Sequence, residues 1–219
     1  MYFIEIKYTM NGFYINLEKR KDRNEHMQKL IKDFPFFKDI KRMNAYYSNK
    51  YGVGCTQSHI NCLTECLKMN KKYYLIMEDD FFIFNKKNFI RFKENFDKIK
   101  YDNDWDVITL TPHGNTVKKN YMENFNKIIN SQTTTAYIIK HDFINQLLKY
   151  MQIGLKGLKK GYIGSEPNPY CTDQCWKPLQ KKSNWIYHSE IFAGQIPSYS
   201  DIEGRFVNYN NAFLNQINK

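Results

Sequence analysis

The sequence predicts an α/β protein built on a largely parallel sheet flanked by helices, and three observations carry that expectation. Short apolar runs alternate with segments whose apolar residues recur at helical spacing. One of those runs, Tyr73–Met77, leads straight into three consecutive acids. Hydrophobic residues make up 42% of the 219, enough for a sizeable core.

The elements follow in order. Phe13–Leu17 reads as a short buried strand, and the charged run Glu18–Arg23 follows it at once. A helix is expected next, with Met27, Leu30, Ile31 and Phe34 at helical spacing and Pro35 as its stop. Asp39–Tyr46 reads as a second strand and loop, and Gly52-Val53-Gly54 marks a turn. Ile60, Leu63 and Leu67 place a helix over Cys55–Met69. Tyr73–Met77 is a compact apolar strand, Asp106–Leu110 another, and Thr134–Ile139 one more, leading into a helix from about Asp142 to Met151. Trp185–His188 has the pattern of a late strand.

Beyond Gly154 the texture changes. Gly157, Gly161, Gly164, Pro167 and Pro169 punctuate a segment expected to be rich in loops. There is no internal repeat and no low-complexity linker. The expectation is therefore one domain over residues 1–219, with 154–219 completing its active face.

The net charge is +11, from 33 basic and 22 acidic residues. Such a surplus concentrates anions without naming one: nucleic acid, an acidic membrane surface and a diphosphate cofactor all fit. A solvated lysine-rich surface accounts for most of it. The five cysteines, Cys55, Cys62, Cys66, Cys171 and Cys175, form no disulfide framework. Cys171 and Cys175, with His188, could seat zinc, but reduced or buried thiols are the simpler reading, because no second tight pair is present. Met1–Gly12 carries Glu5 and Lys7 and lacks the apolar core of a signal peptide. No apolar run approaches the roughly 20 residues that span a bilayer. A soluble protein, cytoplasmic or otherwise intracellular, is the expectation.

The acids Glu78-Asp79-Asp80 lie between two apolar blocks, Tyr73–Met77 and Phe81–Phe84. Strand alternation would send Glu78 and Asp80 to one face and Asp79 to the other. They fall at the carboxyl end of a strand, where ligands gather in open α/β sheets. Buried carboxylates must be paired, protonated or metal-bound. Carboxylate oxygens suit Mg²⁺ or Mn²⁺, and ion pairs with nearby lysines are the competing reading. Asn16, Arg20 and Arg23 follow the first strand at the same sheet edge, where arginine could hold phosphate or stack on a base. Gly54-Cys55-Thr56-Gln57-Ser58-His59 offers a tight turn into a helix amino terminus suited to an anion. It lacks the glycine pattern and terminal lysine of a Walker loop.

These pieces occur in a familiar order. Phe-Tyr-Ile-Asn-Leu-Glu-Lys-Arg-Lys-Asp-Arg at 13–23 resembles the opening of glycosyltransferase family 25, which includes bacterial lipopolysaccharide galactosyltransferases and collagen galactosyltransferase domains. Gly54–His59 is similar to that family's Gly-Cys-x-x-Ser-His signature, and Leu75–Asp80 to its hydrophobic strand with Glu-Asp-Asp. Thr135-Ala136-Tyr137 matches a later strand, and Gln195 with Ser200-Asp201-Ile202 resembles the terminal segment. The resemblance runs from about Phe13 to Arg205; Pro112–Asn130 matches no motif.

The resemblance implies a GT-A fold, a UDP-sugar donor, Mn²⁺ or Mg²⁺, and inverting transfer to a hydroxyl of a glycan, lipid-linked or protein acceptor. It makes Glu78 and Asp80 metal candidates, with His188 as a further ligand. Asn16, Leu17, Arg20, Arg23, Ser58 and Asp79 become candidates for holding the nucleotide sugar. Asp173 is the candidate base, since an aspartate near pKa 3.9 is ionised at pH 7. Two other classes stay open at this point. One is a basic nucleic-acid-binding module, which would bind with steep salt dependence. The other is a transferase fold kept only for binding.

Overall fold

The computed structural model describes residues 9–164 and 167–209. Residues 1–8, on which most of the amino-terminal reading rests, lie outside them, as do 210–219. The chain forms β1 (Asn11–Asn16), α1 (Lys21–Asp33), β2 (Asp39–Asn44), α2 (Val53–Leu67), β3 (Tyr73–Glu78), β4 (Phe81–Ile83) and α3 (Lys86–Ile99). It continues through β5 (Val107–Thr109), β6 (His113–Met122), β7 (Phe125–Gln132), β8 (Ala136–Lys140) and α4 (Ile144–Lys160). Two single-turn helices follow, α5 (Thr172–Cys175) and α6 (Lys177–Gln180), and then β9 (Trp185–His188), β10 (Ala193–Gln195), β11 (Ser198–Ser200) and β12 (Arg205–Val207).

Eight strands form one sheet in the order β2-β1-β3-β8-β5-β9-β7-β6. Taken through their pairings, β2, β1, β3, β5, β9 and β6 run one way, while β8 and β7 are reversed. The sheet is thus mostly parallel, as the alternation of strands and helices predicts. β4 pairs with β10, and β11 with β12, in two small antiparallel ribbons.

Alternation along the strands divides the core in two. Tyr74 and Ile76 of β3 face one layer with Phe13, Ile15, Tyr137 and Ile139, covered by α2 and α4. Leu75 and Met77 face the other with Tyr14, Ala136 and Ile138, covered by α1 and α3. This second layer explains much of the phenylalanine content. Phe36, Phe37, Phe81, Phe89, Phe92, Phe96, Phe125 and Phe192 are all buried in it, several in edge-to-face contact at 5–6 Å, such as Phe36 on Phe37 at 5.1 Å.

Two departures from the sequence reading have plain causes. The helix expected to end near Met151 continues to Lys160, so the loop-rich segment starts later than Gly154. Gly154 and Gly157 lie within α4, and their lack of a side chain lets α5 and the loop before it pack directly on the helix there. A Cβ at Gly157 would lie 2.1 Å from the Tyr170 ring, and one at Gly154 would lie 2.7 Å from the Tyr170 carbonyl oxygen. The unmatched Pro112–Asn130 region is mostly the β6–β7 hairpin, which turns at Glu123-Asn124, both with positive φ.

Candidate active site

A cleft of about 630 Å³ opens at the carboxyl ends of β1 and β3. Its floor is Glu78, Asp79 and Asp80, with His59 and Ser58 of α2 beside them. One wall is the Ala45–Gly52 loop, and another is Gln132–Thr135 with Cys171–Asp173. Gln195 and the Ser200–Glu203 turn of the β11–β12 ribbon close a third side.

β3 ends at Glu78, and the chain turns at Asp79-Asp80, so strict alternation stops before the last two acids. Both therefore meet one partner: Arg23 Nη1 donates to Asp79 Oδ1 at 2.8 Å and to Asp80 Oδ2 at 3.3 Å. The other arm, Nη2, donates to Ser198 Oγ at 2.6 Å and to the Tyr199 carbonyl at 3.0 Å. The partner of these acids is thus an arginine rather than the lysines considered from the sequence. Arg20, at the start of α1, donates to Asp22, to Asp201 and to the Tyr199 carbonyl. Lys19 also pairs with Asp201, at 2.7 Å.

Glu78 is held differently. His59 Nε2 lies 3.2 Å from its Oε1, and the Thr134 hydroxyl donates to the same oxygen. Burial works to raise the Glu78 carboxyl, but the His59 and Thr134 hydrogen bonds and the Arg23 charge outweigh it, leaving it below the usual range. Asp80 goes the other way. Burial, with Glu78 close by, pushes it up to about 7 against the opposing charge of Arg23. Its Oδ1 is buried with no hydrogen-bond partner among the described residues. An orphaned buried carboxylate oxygen facing a cleft is the donor a hard divalent cation takes, so the residues present fit such an ion.

The structure brings most of the predicted residues to the cleft. Leu17, Arg20, Arg23, Ser58, Glu78, Asp79, Asp80 and Asp173 line it. Ser58 faces it as a loop anchor: its hydroxyl donates to the Gly54 carbonyl at 2.7 Å and accepts from Tyr46 N–H at 2.8 Å. Gly54 is required there, because a Cβ would stand 2.7 Å from the Tyr46 carbonyl oxygen. Asp173 Oδ2 accepts from the Thr133 N–H at 3.3 Å. Thr133 itself has φ 71°, a left-handed conformation rare for a β-branched residue, steadied by its hydroxyl on the Thr111 carbonyl.

Two of the predicted residues are not among the cleft lining. Asn16 is buried behind the cleft, not on it. Its amide donates to Asp79 Oδ2 at 2.7 Å and to the Arg20 carbonyl, and its oxygen accepts from Arg42. These bonds tie Asp79 to the start of α1 from behind. His188 is not brought to the acids at all. It packs edge-on against Phe92 and Phe125 in the aromatic layer, with Asn95 at 3.0 Å from Nε2 and the Glu190 carbonyl at 3.0 Å from Nδ1. Burial lowers its pKa, which suits a neutral packed imidazole. Nor does it meet Cys175, which belongs to the opposite layer; none of the five cysteines forms a disulfide.

Sequence reasoning missed His59, Thr134 and Gln195 as partners of the acids. His59 was visible in the Gly-Cys-x-x-Ser-His run, four residues after Cys55 and so on the same helix face. Thr134 and Gln195 come from 56 and 115 residues away along the chain; Gln195 lies in the terminal segment that resembles the family, but nothing local ties either residue to the acids.

The charge of the cleft is opposite to that of the chain. Among the described lining residues, Lys19, Arg20, Arg23 and Lys50 face Glu78, Asp79, Asp80, Asp173, Asp201 and Glu203. Six carboxylates against four cations, in a chain of net charge +11, make a poor seat for a bare polyanion.

No helix among the described residues is long and apolar enough to cross a membrane. No curated protein matches the chain significantly. Among solved structures, it is similar to a glycosyltransferase involved in glycosylation of the major capsid of PBCV-1, at 9% identity and TM-score 0.51, covering 82% of this chain and 81% of that one. It is also similar to A197 from STIV, at 12% identity and TM-score 0.51, covering 91% and 93%. At such identities these likenesses concern the fold, and the first supports the GT-A architecture. The profile of glycosyltransferase family 25, described as LPS biosynthesis protein, matches residues 10–155, which carry β1 through most of α4 and the whole acidic floor of the cleft. The chain is a glycosyltransferase and belongs to family 25.

Proposed function

We propose that the chain moves a hexose from a UDP-sugar to a hydroxyl of a glycan, lipid-linked or protein acceptor, with inversion at the anomeric carbon and with a bound Mn²⁺ or Mg²⁺. The donor sugar is galactose, glucose or N-acetylglucosamine. The observation that carries this reading is the unpartnered Oδ1 of Asp80 on the floor of a cleft whose lining is net acidic. A diphosphate entering alone would meet carboxylates, whereas one entering with a divalent cation would match them.

Asp80 would hold the ion, with Glu78 beside it. Bound there, the ion would neutralise charge on the departing diphosphate. The remaining chemistry belongs to the protein. Arg23 keeps Asp79 and Asp80 in place, Asn16 fixes Asp79 from behind, and Arg20 and Leu17 line the donor side. Asp173, on the opposite wall, takes the proton of the acceptor hydroxyl as its oxygen bonds to the anomeric carbon. The bond from that carbon to the diphosphate oxygen breaks, and its electron pair leaves with UDP. The acidic lining also disfavours the nucleic-acid reading for this cleft, since a phosphate backbone gains from basic grooves.

Thermal unfolding with UDP, with Mn²⁺ and with both tests the proposal. A ligand that binds only the folded state raises its stability, by about 2.7 kcal/mol at a hundredfold excess over Kd. A rise that needs both components, and is lost in Asp80→Asn, is expected. Equal stabilisation by UDP with and without Mn²⁺ would overturn the metal-dependent reading.

A further inference from the structure

Cys55 and His59 take no part in the donor chemistry above, yet they stand with Glu78 as a set. They are four residues apart on α2, so their side chains share one helix face, and Glu78 ends β3 opposite them. The cysteine Sγ, an imidazole nitrogen and a carboxylate oxygen lie within 4.8 Å of one another. All three residues line the cleft. We propose that Cys55, His59 and Glu78 form a binding site for a borderline-soft divalent ion, zinc above all, with one coordination position open to the cleft.

The geometry supports this at each ligand. Bonds of about 2.0–2.3 Å in a tetrahedral zinc site place neighbouring ligand atoms roughly 3.3–3.6 Å apart. His59 Nε2 and Glu78 Oε1 are already 3.2 Å apart, and the Cys55 sulfur lies within 4.8 Å of both. The other ring nitrogen, Nδ1, lies 3.1 Å from the Tyr137 hydroxyl, whose ring stacks on the imidazole with centroids 5.7 Å apart. Metal-bound histidines are held in this way through their second nitrogen. The Thr134 hydroxyl steadies Glu78, and the Thr172 hydroxyl lies 3.7 Å from the Cys55 sulfur. On binding, the Cys55 thiol releases its proton to solvent, and the Nε2 lone pair passes to the ion.

The donor set decides the class of ion. Thiolate and imidazole select zinc or cobalt over magnesium and manganese, while a carboxylate such as Asp80 offers only oxygen and suits the hard ions. Glu78 stands between the two positions. The inference rests on these three side chains alone and holds whether or not the cleft uses a UDP-sugar.

The test is Co²⁺ binding to chelator-stripped protein, with Zn²⁺ as competitor. Wild type is expected to bind one Co²⁺ with a sulfur-to-cobalt charge-transfer band that Zn²⁺ abolishes. Cys55→Ser and Cys55→Ala should lose the band, and Cys171→Ser should keep it. Tyr137→Phe should weaken Zn²⁺ binding by roughly 10- to 100-fold, while Asp80→Asn leaves the band unchanged. X-ray absorption of zinc-loaded wild type should show one sulfur and one imidazole, so the answer does not depend on how any variant folds. A shell of oxygen and nitrogen alone, or a band that survives Cys55→Ser and vanishes with Cys171→Ser, overturns the proposal.

Discussion

Arg23 and Asp80 are locked together at the floor of the cleft: the guanidinium Nη1 that bonds Asp80 Oδ2 at 3.3 Å also bonds Asp79 Oδ1 at 2.8 Å. The side chains of all three are nearly buried, at 9–12% exposure. Removing the arginine would leave two carboxylates facing each other without a counter-charge. Arg23→Ala is expected to lower stability by about 3 kcal/mol, read as a drop in Tm, and Mn²⁺ should restore part of the loss. A Tm within a degree of wild type would contradict this account of the acids.

Asp173→Asn is expected to slow turnover by about 10²–10⁴-fold while leaving UDP and Mn²⁺ stabilisation unchanged. The variant retains an oxygen for the Thr133 N–H, so the local fold should survive. Parallel loss of ligand stabilisation in the melts would assign Asp173 to the donor side instead of the acceptor hydroxyl.

His188→Gln should leave Mn²⁺-dependent stabilisation intact while lowering Tm, because the imidazole fills the aromatic layer against Phe92 and Phe125. Loss of the Mn²⁺ response in this variant would restore His188 as a ligand.

Asn16→Ala removes three hydrogen bonds behind the acids. Leaving buried polar partners unsatisfied costs about 1–3 kcal/mol, so a clear fall in Tm is expected, together with a raised KM as Asp79 loosens. An unchanged KM would show that Asp79 is held well enough by Arg23 alone.

The β11–β12 ribbon should respond to acid. Partial burial opposes the effect, but hydrogen bonds and charge from Lys19 and Arg20 hold Asp201 below its ordinary value of 3.8. A carboxyl depressed in the folded state adds stability that is complete above its unfolded pKa and lost as pH falls through the folded one. The Tm difference between wild type and Asp201→Asn should therefore be steady above about pH 4 and shrink at lower pH. A difference that persists at pH 2 would mean the contact is not ionic.

What the sequence made legible depended on how local each signal was. β1, β3 and β8 are apolar runs buried on both faces, and α2 shows Ile60, Leu63 and Leu67 in order. α3 was overlooked because Lys86, Lys87, Arg91, Lys93, Glu94, Asp97 and Lys98 mask its stripe of Phe89, Phe92, Phe96 and Ile99. The Asn85 side chain accepting from the Asn88 N–H was its readable start signal. The β6–β7 hairpin escaped because several of its polar residues, Asn120, Glu123, Asn124 and Asn130, break regular strand geometry with positive φ. In the cleft, strand position pointed to Glu78, Asp79 and Asp80. It could not tell that Arg23 would join two of them while His59 took the third, since those pairings span 56, 57 and 19 residues.

The acidic lining of a cleft in so basic a chain bears on kinetics. Lysines spread over the outer surface draw anions toward the protein as a whole, but they do not focus them into the opening. Association of an anionic substrate should then be set by how much divalent cation travels with it. Raising monovalent ionic strength should slow that encounter far less than it slows capture by a basic groove.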